Sequence, residues 1–76
     1  MSDRIFYLWF DDGYGRYIMH ARELHCGDCF DVEIDGHWLQ TRIEHSDGST
    51  HSHGWFLYTH PDTPLDDLAV RKSVRP

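Results

Sequence analysis

Residues 23–30 read E-L-H-C-G-D-C-F and carry both cysteines of the chain, Cys26 and Cys29, directly behind His25. A Cys-x-x-Cys pair beside an imidazole is the raw material of a zinc site or a thiol–disulfide couple. Seven histidines in 76 residues enlarge the pool of ligands. His51-Ser52-His53 is an H-x-H pair, and on a strand two histidines at i and i+2 point the same way. Cys26, Cys29, His51 and His53 are therefore the metal-ligand candidates. Against them, no second C-x-x-C and no H-x₃₋₅-H follows at finger-like spacing. His25, adjacent to Cys26, is poorly placed to chelate jointly with Cys29. The set reads first as surface histidines and structural cysteines, with no cofactor, and a Cys/His metal-binding domain is kept as an alternative. The redox reading is weaker. A thioredoxin-type pair opens a helix in a βαβ unit, whereas this one opens a strand, with the acidic Asp28 between its thiols where a redox pair favours positive neighbours. No Ser-His-Asp order, phosphate loop or paired-carboxylate signature stands out, so the chain is not read as an enzyme and no catalytic residue is assigned.

The elements that hold these residues are short β-like runs. One domain, residues 1–76, is expected, with strands near 4–10, 16–20, 29–35, 37–45, 54–60 and 69–72. Leu65 to Leu68 is expected as one helical turn, and Ala21 to His25 is a second, brief helix candidate that Gly27 stops. Asp35-Gly36 is the strongest hairpin signal. A two-residue type I′ loop there sets Ile34 opposite His37, Val32 opposite Leu39, Phe30 opposite Thr41 and Asp28 opposite Ile43. Alternation then turns Phe30, Val32, Ile34, Leu39 and Ile43 inward, and Cys29, Asp31, Glu33, Trp38, Gln40 and Arg42 outward. Cys26, Gly27, Asp28 and Gly36 are read as structural: a strand entry in which Cys26 is a small buried thiol, and a hairpin tip. Five or six strands in so few residues predict a small antiparallel, partly open SH3-like barrel, which hides edges that a flat sheet would expose.

Charge narrows the partners. The net charge is −6, and it is uneven. Residues 1–70 hold four basic against thirteen acidic side chains, while Arg71, Lys72 and Arg75 lie in the last six positions. An acidic body argues against nucleic acid, whose phosphates require a basic patch. The basic end is read as a solvated, frayed terminus. No apolar run approaches the ~20 residues of a membrane span, and the first ten residues lack a signal-peptide cleavage pattern. A cytoplasmic protein with reduced thiols is expected.

The aromatics point to a surface. Residues 4–10 and 54–60 are apolar on both faces, and a single-layer barrel buries only one side of a strand. Trp38, Arg42 and Glu44 on the outer hairpin face, with Trp55 nearby, are the expected interaction surface. The expected function is a non-catalytic protein-interaction module that binds a protein partner or itself.

The phrases E-L-H-C-G-D (23–28), G-H-W (36–38), T-R-I-E (41–44), G-W-F-L (54–57) and L-D-D-L (65–68) resemble a small bacterial family of uncharacterised domains. The likeness runs over about residues 14–71. In that family pattern the place of Cys29 is not regularly cysteine, and Asp67 stands where glycine is usual. A His/Ser loop at 46–53 is an insertion. The resemblance implies no activity. It implies an origin in bacterial chromosomes and mobile elements, and with it an alternative role as an anti-defence inhibitor acting through an acidic surface.

Overall fold

The computed structural model describes residues 4–47 and 52–73. His51 therefore lies outside the described residues. Eight strands follow in order: β1 (Phe6–Tyr7), β2 (Trp9–Asp11), β3 (Arg16–Met19), β4 (Arg22–Glu23), β5 (Cys29–Ile34), β6 (His37–His45), β7 (Trp55–Leu57) and β8 (Ala69–Arg71). A 3₁₀ turn, Ser52–Gly54, precedes β7. The strands form two antiparallel sheets, one of five strands in the order β1-β8-β5-β6-β7 and one of three in the order β2-β3-β4. The two do not close on each other, an arrangement consistent with the small, partly open barrel expected from the sequence. Among the described residues, no helix is long and apolar enough to cross a membrane.

The central hairpin has the predicted register. Ile34 pairs with His37, Val32 with Leu39 and Phe30 with Thr41. Asp35 and Gly36 both have positive φ, 51° and 83°, as a type I′ loop requires. Phe30, Val32 and Ile43 are fully buried, and Ile34 and Leu39 pack against them at the margin.

The run expected as one strand over 4–10 is divided at Leu8. Residues 6–7 pair with β8, and residues 9–11 pair with β3. Leu8 itself is completely buried. Its N–H donates to the Leu68 carbonyl at 3.0 Å, and its carbonyl accepts from the Asp67 N–H at 2.9 Å. The chain thus changes sheets at one residue without leaving a backbone group unpaired. This explains a run that is apolar on both faces. Phe6, Leu8 and Phe10 turn to the core, and Ile5, Tyr7 and Trp9 remain half-exposed or more.

Two expected helical pieces are corrected. His20 and Ala21 both have positive φ, 52° and 63°, and turn the chain directly into β4. Leu65 to Leu68 is a single β-turn, with the Leu68 N–H donating to the Leu65 carbonyl at 3.1 Å and Asp67 at φ 64°. A right-handed helical turn cannot include such a residue. The expected strand over 54–60 is shorter, Trp55–Leu57.

Candidate functional site

Period two along the five-stranded sheet decides what its outer face carries. Trp38, Gln40, Arg42 and Glu44 stand along β6. Cys29, Asp31 and Glu33 stand beside them on β5, in the register Cys29 to Arg42, Asp31 to Gln40 and Glu33 to Trp38. The β6–β7 register adds Phe56 opposite Glu44, and the Tyr58 N–H donates to the Arg42 carbonyl at 2.9 Å. On the other side, Arg71 of β8 pairs with Asp31, and Tyr7 of β1 with Ala69.

Two arginines organise this face, and each is held in the same way. The Arg42 guanidinium lies 3.8 Å from the centre of the Tyr58 ring, and its Nε donates to Glu44 Oε2 at 2.8 Å. The Arg71 guanidinium lies 4.3 Å from the Trp38 ring, and its Nε donates to Asp31 Oδ2 at 3.3 Å. A planar guanidinium satisfies a ring and a carboxylate at once, which an ammonium does not. Asp31 is buried and its carboxylate is neutralised by Arg71. Arg42 keeps 43% of its side chain exposed, and Tyr58 is 58% exposed. The sequence located Trp38, Arg42 and Glu44 here. It placed Arg71 in the expected strand over 69–72 but read its charge as part of a frayed end, and so missed its pairing with Asp31 and Trp38. The signal lay in the apolar pair Ala69-Val70 just before it, which makes residue 71 the next outward position of a strand.

Trp55 is not part of this surface. Its partner in the ladder is His45, two positions from Ile43, so its side chain lies on the inner side. It is only 4% exposed, and its indole N–H donates to the Gly15 carbonyl at 3.1 Å. An indole buried with its single donor satisfied is a core anchor.

The stretch His25-Cys26-Gly27-Asp28 is a turn docked on β6. The Asp28 N–H donates to the His25 carbonyl at 3.0 Å, and Asp28 Oδ2 accepts the His25 N–H at 2.9 Å. Gly27, at φ 90°, takes the one position where a side chain would be strained. Its N–H donates to the Ile43 carbonyl, and the Ile43 N–H donates back to the Asp28 carbonyl. The motif therefore fixes where β5 begins. Cys26, expected as a buried thiol, is exposed instead, because the docking uses backbone groups and leaves its side chain outside. Cys29 is also exposed and free, beside Arg42 as expected. His53 does not sit on a strand. It has φ 59° within the 3₁₀ turn, and its ring stacks on Phe10 at 3.7 Å. Among the described residues, no three of His, Cys, Asp and Glu are grouped to hold a metal ion.

A second concave region lies where the two sheets meet. A groove of about 410 Å³ is lined by Leu8, Trp9, Phe10, Asp12, His53, Asp66 and Asp67. Its floor is tied to the core through Tyr17, which is fully buried and donates its hydroxyl proton to Asp66 Oδ1 at 2.7 Å. Burial, and secondarily that bond, push the Tyr17 hydroxyl up to about 12. Ser52 touches the same hydroxyl and accepts the Leu65 N–H at 2.9 Å. The rim is conformationally tight. Ser52, His53 and Asp67 all have positive φ, and a Cβ on Gly54 would fall 2.7 Å from His45 Nε2. Sequence reasoning missed this groove, because its residues come from three separated segments.

The fold and face together define a small all-β domain with an arginine–aromatic sheet surface. The chain belongs to the family described as Domain of unknown function (DUF5348), which matches residues 2–72. That match is longer than the 14–71 over which the resemblance was read. A crystal structure of a protein from Ruminococcus gnavus, a structural-genomics target, is 35% identical, with a TM-score of 0.73 over 90% of this chain and 99% of that one. No curated protein matches the chain.

Proposed function

We propose that this domain is a cytoplasmic, non-catalytic protein-interaction module that docks through the outer face of the five-stranded sheet. One observation carries the reading: two arginine guanidinium groups over the rings of Tyr58 and Trp38 on an open sheet face. Trp, Tyr and Arg are the side chains that dominate binding energy at protein interfaces. Held against a ring and a carboxylate, each arginine loses less freedom on binding than a loose one does. The charged groups of this face engage one another on a surface and do not converge on a cleft, which supports docking over catalysis. The net charge of −6 supports a protein partner over nucleic acid. Two free, exposed thiols support a reducing compartment.

Reversing Arg42 tests this. Arg42→Glu removes the stack on Tyr58 and sets a like charge beside Glu44. Association with a partner or with itself is expected to weaken by about tenfold or more, while the far-ultraviolet circular dichroism spectrum is unchanged. Undiminished association of a folded Arg42→Glu protein, measured by pull-down and light scattering, sinks the assignment.

A further inference from the structure

We infer that the occupant of this outer face is a second copy of the same chain, packed sheet on sheet about a two-fold axis that crosses β5 and β6 at the Asp31–Gln40 pair. The inference rests on the interaction reading above and gives it a partner.

The argument begins with what a two-fold contact demands. The same patch serves both partners, so it must complement itself. The groove cannot do so: its charged rim is Asp12, Asp66 and Asp67, and two copies would set carboxylate against carboxylate. The outer face carries both signs. Cys29 and Arg42 lie two residues to one side of the Asp31–Gln40 pair, and Glu33 and Trp38 lie two residues to the other. A two-fold axis through that pair, in the plane of the face and across the strands, exchanges the two ends. Arg42 then meets Trp38 of the copy, a cation–π contact made twice. Glu33 of the copy comes down over Cys29, one strand spacing of about 4.8 Å from Arg42. Within one chain those two side chains stand four residues apart along the strands, so their attraction is available only between chains. Asp31 meets its own equivalent at the axis, and so does Arg71, its register partner on β8. Both contacts are tolerable because the two side chains neutralise each other within each copy at 3.3 Å.

The area is small for a dimer contact. The strands of this sheet, two, three, six, nine and three residues long and about 4.8 Å apart, cover roughly 360 Å² per copy, below the roughly 600 Å² per partner of stable interfaces. The dimer is therefore weak and concentration-dependent. It involves facing sheets about 10 Å apart, as in a β-sandwich.

Sedimentation equilibrium from about 10 µM to about 1 mM protein tests the occupant. The mass of the full chain is expected to rise from one copy towards two. Arg42→Glu should raise the dissociation constant by about tenfold or more, and Glu33→Arg combined with Arg42→Glu should recover most of the loss. Gln40→Cys, in a Cys26→Ser/Cys29→Ser background, puts a thiol beside the axis. Oxidised glutathione should then link two copies through it, and should not link an Asp12→Cys control in the same background. A monomer at every concentration overturns the second-copy assignment. So does association that persists without a Gln40→Cys cross-link, because another face then makes the contact. Either result leaves the interaction reading standing on its own test, the loss of partner capture by Arg42→Glu.

Discussion

The outer face and the groove both set carboxylates beside aromatic rings and differ in how those residues are tied to the core. On the outer face, Arg42 engages Glu44 and Tyr58, and Arg71 engages Trp38, across the sheet surface. In the groove, Asp66 is bonded to a fully buried tyrosine, and the rim backbone is held in left-handed conformations. Changes at the exposed charges of the face leave the core untouched, whereas a change at Asp66 or Tyr17 reaches it directly. Sign separates them too. The face mixes cations and anions, and the groove rim carries acids with one imidazole, His53.

The largest expected difference is in stability. Tyr17→Ala empties a fully buried ring site beneath the groove and is expected to cost about 3–5 kcal/mol. For a domain this size that is a large share of the whole. Trp38→Ala on the face is expected to cost about 1 kcal/mol or less, since the ring is only partly buried. Urea denaturation of both variants measures the contrast, and equal losses would break it.

A pH series sharpens the same contrast. The Tyr17 hydroxyl ionises near 10 when unfolded and at about 12 in the folded chain, so folding favours its protonated form. The stability it lends is fully present below pH 10 and is lost as pH rises through 12. The loss is expected to be on the order of 2–3 kcal/mol. Tyr17→Phe should remove that part of the alkaline loss. Parallel curves for Tyr17→Phe and the parent protein would refute the linkage.

The smallest effect is at the rim. Asp67 has φ 64°, a region glycine enters without cost. Asp67→Gly is expected to raise stability by about 0.5–1 kcal/mol, read as a rise in Tm. A fall would show that the Asp67 carboxylate supports the groove more than its backbone strains it.

Much of the fold was legible because period two and turn chemistry act locally. Asp35-Gly36 fixed the hairpin, and the alternation from Cys29 to Ile43 fixed which side faces in. The expected long strand over 4–10 failed because its division at Leu8 depends on Leu68 and Asp67, some sixty residues away. Trp55 was misplaced for a related reason. Its face follows from the register with β6, which no local pattern states. Of the surface residues, Trp38, Arg42 and Glu44 could be read from one hairpin. Arg71 and the groove could not, since tertiary pairing alone brings them to Asp31 and Asp66.

The pairing of Phe6 with Val70 has a consequence for how the protein is made. The first strand has no neighbour in its sheet until the ribosome has delivered the last one, and β5 has none on that side either. Contacts that span nearly the whole chain slow folding. A nascent chain stalled before residue 69 would leave Phe6 without a partner strand, Val32 paired on its β6 side alone, and Asp31 without its counter-charge. Such an intermediate exposes unpaired strand edges that favour aggregation, and its lifetime is set by how soon residues 69–71 are delivered.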